Sequence, residues 1–229
     1  MQRRPVTIVD YGVGNLRSVA KACERAGFSA VTTDSPEAIQ EAPGVILPGV
    51  GAFGAAMESL ERAGLAGAVR EGAAEALAGG RPFLGLCLGL HLLFDESEES
   101  FGGEYPRGLG VLPGRVVRLT GEGLKVPQIG WNTVAFRRAH PILEGIPDGS
   151  YFYFVHSYRV VPADPAAVLL TTEYGTTFAS GVALGNLVAF QFHPEKSSAT
   201  GLALLANFGR LVYGQAMRRD PEQEGENDQ

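Results

Sequence analysis

A chain of 229 residues, 45% of them hydrophobic, is long enough to bury one large core, and a single domain is the expected organisation. Nineteen Lys and Arg against 25 Asp and Glu leave a formal net charge of -6, which gives no basic footprint for nucleic acid. No run of about eighteen or more apolar residues points to a membrane, and the four scattered histidines and two cysteines have none of the spacings of a zinc site, so neither metal nor other cofactor is expected. Met1-Gln2-Arg3-Arg4 leads straight into a strand-like run with no signal-peptide core, and Cys23 and Cys87 make no disulfide framework. A reducing, cytoplasmic setting is the expectation.

The first half alternates two periodicities. Val6-Thr7-Ile8-Val9 is a β-branched run, Gly14 to Ala26 has helical apolar spacing closed by Gly27, and Ser29 to Thr33 reads as a second strand. Ser35-Pro36-Glu37 carries a cap residue, a proline and an acid where a helix begins, and Gly44 to Leu47 is the next strand. Met57 to Leu77 reads as helix interrupted around Ala63-Gly64, with Gly79-Gly80-Arg81-Pro82 as punctuation before the apolar run at Phe83. Such alternation predicts a doubly wound α/β fold: a mostly parallel central sheet with helices on both faces. Past Phe94 the pattern changes. Asp95 to Gly103 reads as an acidic, glycine-rich loop, and strand-like runs at Arg115–Leu119, Trp131–Phe136, Tyr151–Tyr158, Ala167–Thr172 and Leu187–Phe192 suggest antiparallel strands added to the sheet. A last helix is predicted over Ala199 to Val212, and the polar stretch Arg218 to Gln229 is expected to be disordered. There is no internal repeat and no domain linker.

The chemistry concentrates at Phe83-Leu84-Gly85-Leu86-Cys87-Leu88-Gly89-Leu90, a buried strand driven into a turn with a cysteine at its apex and a glycine two residues to either side. This is the cysteine form of a nucleophile elbow, in which glycines let strand and helix approach closely around a strained apex. A helix starting around Leu88 would point its free N–H groups at the sulfur, a setting that favours a thiolate. A free cysteine in an apolar run is otherwise most often a core residue, and the symmetric glycines shift the balance toward a nucleophile. A nucleophilic cysteine needs a base, and the base an orienting group. Gln191-Phe192-His193-Pro194-Glu195 supplies both: His193 emerges at the end of a buried strand, and in an extended segment Glu195 falls on the same side. Without the elbow, a structural turn would explain the His-Pro pair as well. Two N–H donors for a developing oxyanion are expected from Leu88 and from the Gly49-Val50-Gly51 loop after the third strand, whose glycines an ordinary turn would also need.

Together these residues resemble the class I, triad-type glutamine amidotransferases, in which a Cys-His-Glu triad hydrolyses glutamine and delivers ammonia to a second active site. Asp10-Tyr11-Gly12-Val13-Gly14-Asn15-Leu16, Pro48-Gly49-Val50-Gly51-Ala52-Phe53, Gly130-Trp131-Asn132 and Tyr153-Phe154-Val155-His156-Ser157-Tyr158 are similar, more narrowly, to the glutaminase subunits of imidazole glycerol phosphate synthases. The match runs to about Gly214, which makes 1–214 the amidotransferase domain and 215–229 a polar tail. The resemblance implies Cys87, His193 and Glu195 as the triad, a flavodoxin-like fold, and a heterodimer with a (β/α)8-barrel cyclase that receives the ammonia. It implies a glutamine site lined by Gly51, His91, Val155, His156, Ser157 and Tyr158, and a partner face holding Asn15, Trp131, Asn132, Tyr153 and Lys196. Taken alone, Trp131 reads equally as a core aromatic and Lys196 as a solvated charge. Two departures stand out: His91 where family members usually carry glutamine, and Gln128 where histidine is common. The rivals are a triad amidotransferase serving anthranilate, carbamoyl phosphate or purine synthesis, a cysteine peptidase of related fold, and a noncatalytic binding subunit.

Overall fold

The computed structural model describes residues 3–100, 103–121 and 123–214. Its first half contains β1 (Val6–Val9), α1 (Leu16–Arg25), β2 (Ala30–Thr33), α2 (Pro36–Glu41), β3 (Val45–Leu47), α3 (Phe53–Arg62), α4 (Ala66–Leu77), β4 (Phe83–Leu86) and α5 (Leu88–His91). The second half contains β5 (Phe94–Ser97), β6 (Leu112–Arg118), β7 (Gln128–Thr133), β8 (Ala135–Phe136), β9 (Tyr151–His156), β10 (Tyr158–Pro162), β11 (Val168–Tyr174), β12 (Thr176–Leu184), β13 (Leu187–Phe190) and α6 (Ser198–Tyr213).

The predicted starts and stops follow from local chemistry. The Asn15 side chain accepts from Ser18 N–H at the head of α1, and Ser35 does the same for α2, with Pro36 in its first turn. The helix predicted from Met57 begins earlier, at Phe53, where the Glu99 carboxylate accepts from the Phe53 N–H at 2.8 Å. That cap comes from 46 residues away, beyond the reach of local reading. The predicted break separates α3 from α4, with Gly64 at φ 71°.

The main sheet runs β2-β1-β3-β4-β13-β12-β10-β6-β5, with β11 and β8 attached through β12. The strands β2, β1, β3, β4 and β13 are parallel, and β12, β10 and β6 continue the sheet in antiparallel fashion. Alternate residues feed opposite layers. Val45, Leu47 and Phe83 face α2, α3 and α4 through Ile39, Met57, Leu60 and Val69. Ile46, Leu84 and Leu86 face α1 and α6 through Cys23, Leu204 and Phe208. Helices on both faces of a largely parallel sheet are the predicted architecture, and Cys23 is core, its thiol pushed up to about 12 by burial.

Four expectations are corrected. The acidic stretch after Phe94 begins with a strand, β5, parallel to β6; Ser97 is buried, and Asp95 accepts from Gly114 N–H at 2.8 Å. The run Tyr151–Tyr158 is two strands. The chain leaves a separate two-stranded sheet, in which β9 pairs with β7, and enters the main sheet as β10. β12 was not anticipated, because Ala179, Ser180 and Gly181 dilute its hydrophobic pattern, yet small side chains fit there: a Cβ on Gly181 would lie 2.9 Å from the Phe190 ring. Leu187–Phe190 is no outlying hairpin strand, since β13 also pairs in parallel with β4 at the centre of the sheet. The expected disorder of Arg218 to Gln229 lies outside the described residues.

Candidate active site

The strand order turns back at β1 and β3, and the loops that follow β1, β3, β4 and β13 meet at the carboxyl edge of the parallel strands, where open α/β sheets hold their ligands. Cys87 caps β4 with φ 52° and ψ -107°, a left-handed backbone uncommon outside glycine that typically costs on the order of 1–3 kcal/mol. The flanking glycines are sterically required. A Cβ on Gly89 would lie 1.9 Å from the Leu47 carbonyl oxygen, and one on Gly85 would lie 2.9 Å from the Ala189 Cβ. The Cys87 N–H donates to Phe190 O at 2.8 Å, tying the turn to β13. The predicted helix after the elbow is corrected to the four-residue turn α5, too short to carry much of a macrodipole. Two polar contacts surround the sulfur: the backbone Val155 O lies 3.9 Å from Sγ as an acceptor, and the side-chain Gln191 Nε2 lies 4.0 Å away as a donor.

Beyond β13 the backbone turns instead of staying extended, with a 3-10 turn at Pro194–Lys196. Glu195 still reaches back, placing Oε1 2.8 Å from His193 Nδ1 with both side chains buried. Ser197 clamps this turn: its hydroxyl donates to His193 O at 2.6 Å and accepts from Tyr153 N–H at 3.0 Å. Burial lowers the His193 pKa, but the Cys87 sulfur and then the Glu195 carboxylate outweigh it and raise the imidazole from 6.5 to about 10. His193 Nε2 is buried with no formed hydrogen bond.

The Gly49–Gly51 loop sits against the elbow. Tyr11, its phenol pushed up mainly by burial, donates from its hydroxyl to Pro48 O at 2.8 Å, and a Cβ on Gly49 would meet that hydroxyl at 2.7 Å and Leu88 Cβ at 2.9 Å. The Leu88 N–H, one of the two expected oxyanion donors, donates to Gly49 O at 3.4 Å. In this arrangement the loop turns a carbonyl toward the elbow. Gly51 has φ 93°, and Val50 is exposed.

Of the expected glutamine-site residues, Val155 faces the sulfur through its carbonyl. His91 and His156 are buried and paired. His91 Nε2 lies 2.7 Å from Gln191 Oε1, and burial pushes its pKa down to about 4. His156, pushed down to about 3, lies 2.8 Å from Tyr158 O through Nδ1 and 2.8 Å from the Gln128 side-chain amide through Nε2. The atom of Gln128 that faces Nε2 is Oε1, so with Nδ1 donating to Tyr158 O a neutral imidazole is satisfied at Nε2 only with the Gln128 amide turned over to present its NH2. Ser157 is the crossing residue between β9 and β10, and Tyr158 lies under the Arg118 guanidinium, 5.9 Å from its ring centroid.

Lys196 Nζ lies 5.9 Å from the Tyr153 ring, and Trp131 meets the same ring edge-on at 6.1 Å. Trp131 is 51% exposed, so the core reading does not hold for it. Asn132 is half-buried, and its side-chain amide donates to Glu173 O at 2.9 Å. Asn15 and Lys196 share a small cleft with Gly49, His193 and Glu195. A roomier cavity of about 290 Å³, lined by Thr133, Asp148, Thr171 and Glu173 among others, contains no cysteine or histidine and shares no residue with that cleft. Among the described residues, no three His, Cys, Asp or Glu side chains gather as metal ligands.

Two buried residues escaped the sequence reading, Gln191 and Ser197. Gln191 did leave a signal, a lone amide inside the apolar run Leu187–Phe192; Ser197 left none.

Residues 7–211 match the family model for glutamine amidotransferase class-I. Over 209 residues the chain is 54% identical to the imidazole glycerol phosphate synthase subunit HisH of Moorella thermoacetica, covering 91% of this chain and 96% of that protein. It is 52% identical over 207 residues to the same subunit of Symbiobacterium thermophilum, covering 90% and 94%. Among solved structures, a glutamine amidotransferase 22% identical superposes with a TM-score of 0.68 over 90% of this chain and 98% of that one. PurLQS from Thermotoga maritima, 21% identical, superposes with a TM-score of 0.63 over 92% and 98%. The solved structures establish the shared fold, and the family model together with relatives identical at half their positions establishes descent: the chain belongs to the class-I glutamine amidotransferase family, among the HisH subunits.

Proposed function

We propose that this chain is the glutaminase subunit of an imidazole glycerol phosphate synthase, hydrolysing glutamine to glutamate and passing the ammonia to a (β/α)8-barrel cyclase subunit in histidine biosynthesis. The observation that carries the chemistry is the His193–Glu195 pair at 2.8 Å, with Nε2 left without a formed hydrogen bond on the side of the strained Cys87. Glu195 accepts from Nδ1–H and so leaves Nε2 as the base. His193 takes the thiol proton as the sulfur attacks the amide carbon of glutamine, then gives it to the departing nitrogen, which leaves as ammonia. A thioester remains on Cys87. Water loses a proton to the same imidazole, adds to the thioester carbon and releases glutamate, and the proton returns to the sulfur. The raised His193 pKa supports an imidazolium stable enough to hold each proton in turn.

Leu88 N–H and the amides of Gly49, Val50 and Gly51 form the oxyanion hole once the Gly49 carbonyl lets go of Leu88. Gly51, Val155, His156, Ser157 and Tyr158 bound the glutamine site, with His91 behind them. The partner docks over Asn15, Trp131, Asn132, Tyr153 and Lys196, a reading supported by the exposed Ile129, Trp131 and Tyr151 on β7 and β9 beside the triad turn. The enzyme works in the cytoplasm, where the free Cys87 thiol stays reduced.

Glutamine hydrolysis is measured with and without a purified barrel cyclase and its nucleotide ligand. With one oxyanion donor masked, the isolated chain is expected to turn over about 10²–10³ more slowly than the complex. Cys87→Ala should abolish glutamine-dependent synthesis and spare the ammonium-dependent reaction. Full activity of the free chain, unchanged by the cyclase, would overturn the proposal, and turnover of peptides without a partner would favour a peptidase.

A further inference from the structure

We propose that Gln191 is a further working residue of the site: its side-chain amide donates to the Cys87 sulfur, and His91 is the positioning residue that holds the amide in the orientation required. The assignment rests on the amidotransferase reading only in taking Cys87 as the nucleophile.

Gln191 directly follows β13, is fully buried, and is held by its backbone N–H, which donates to Ser180 O at 2.9 Å. A buried primary amide must find partners for both ends. Its Oε1 lies 2.7 Å from His91 Nε2, and its Nε2 lies 4.0 Å from Cys87 Sγ. The two contacts are coupled through the amide plane. When His91 Nε2 carries the proton and donates to Oε1, the NH2 group must face the sulfur. The flipped amide would instead set Oε1 against Sγ, lone pair to lone pair, and oppose negative charge there. Sγ therefore sits between an acceptor suited to the thiol, Val155 O at 3.9 Å, and a donor suited to the thiolate. The donor contact is at the long end for sulfur and has room to tighten as charge develops. His91 is buried and committed to Gln191, so it acts on the chemistry through that amide.

The titratable groups around the sulfur are His193 and Glu195 beyond β13, Tyr11 after β1, His91 on α5, and His156 on β9, which is coupled to His91 and His193. All five are retained in a Gln191 variant, so a changed pH profile there reports the amide. The rate of Cys87 alkylation by iodoacetamide is followed against pH on the full chain, with the Cys87 peptide resolved from the Cys23 peptide by mass spectrometry. Losing a hydrogen bond to a charged group is expected to move the half-maximal pH up by about one unit in Gln191→Leu. Gln191→Glu should move it further, because the carboxylate keeps its contact with His91 and turns an acceptor on the sulfur. His91→Leu should shift it less, and His91→Gln, whose amide can again donate to Oε1, should restore the wild-type profile.

Because His91 acts through Gln191, the double variant Gln191→Leu with His91→Leu should shift no further than Gln191→Leu alone. Wild-type profiles in folded Gln191→Leu and Gln191→Glu overturn the proposal, as does a His91→Leu shift that adds in full to that of Gln191→Leu. If Gln191→Leu does not fold, the near-isosteric Gln191→Glu decides. Alkylation needs neither glutamine nor partner, whereas the amidotransferase reading fails on a separate result, absence of glutamine hydrolysis by the wild-type complex.

Discussion

Gly89 shows how little freedom the elbow has. Its missing Cβ leaves the space into which the Leu47 carbonyl oxygen projects from the end of β3. Gly89→Ala must push these elements apart and is expected to lower stability by about 3 kcal/mol or more, read as a lower denaturation midpoint with an unchanged slope. The histidines make a second residue-scale prediction, through pH. His91 is lowered from 6.5 to about 4 by burial, so its folded state binds fewer protons than the unfolded chain between those values. The stability it confers is complete above pH 6.5 and is lost as pH falls through about 4, on the order of 3 kcal/mol in all. His193 has the opposite sign: raised to about 10, it confers stability that is complete below pH 6.5 and lost as pH rises through about 10. In His91→Gln the loss of stability between pH 6.5 and 4 should shrink, and urea unfolding across that range against wild type measures it. An unchanged acid slope would rule out His91 as its source.

At the scale of elements, the separate β7–β9 sheet presents Ile129, Trp131 and Tyr151 to solvent while its other side packs Phe152 and Phe154 into the core. A strand that alternates buried and exposed large apolar residues has two apolar faces, and among the described residues only one is covered. Trp131→Ala should therefore leave the melting temperature of the isolated chain nearly unchanged. With the cyclase it should weaken binding by about 2 kcal/mol or more, roughly 30-fold in Kd, as expected for a tryptophan at the centre of an interface. Titration calorimetry measures both the affinity and any loss of binding heat capacity, and an unaltered Kd would move the partner face elsewhere.

At the scale of the molecule, the parallel and antiparallel halves are joined at β13, which pairs with β4 on one side and β12 on the other. Cys87 follows β4 and His193 lies beyond β13, so the central pairing sets their separation. Arg81 adds a second tie across the fold, donating to Ile39 O at 2.7 Å and pairing with Glu75 at 2.7 Å to bind α2 and α4 to the approach of β4. Among the described residues the last element is α6, ending at Tyr213, whose hydroxyl donates to Arg4 O at 2.7 Å and ties α6 to the segment before β1. With the amidotransferase domain taken as residues 1–214, a chain shortened after Gly214 should melt at the same temperature and hydrolyse glutamine at the same rate in the complex. A lower melting temperature would extend the domain into 215–229.

The sequence by itself determined the alternating half of the fold, the elbow, and the pairing of His193 with Glu195. These depend on short-range rules: strand and helix periodicities, a cap at Ser35, and glycines two residues either side of a cysteine. The tertiary structure decided what depends on distant partners. The strand β12 is legible only beside Phe190 and Leu170, whose bulk makes Gly181 necessary. The division of Tyr151–Tyr158 between two sheets follows from which neighbours each half finds. The Gly49 carbonyl rests on Leu88 because a glycine loop has several backbone states open to it and the elbow and Tyr11 select one. Likewise, His91 and Gln191 stand 100 positions apart, and no local pattern could reveal that a buried imidazole has taken hold of an amide facing the sulfur. Local propensity acts over a few residues, whereas the polar contacts around the Cys87 sulfur exist only once the sheet has brought the ends of β4, β9 and β13 together.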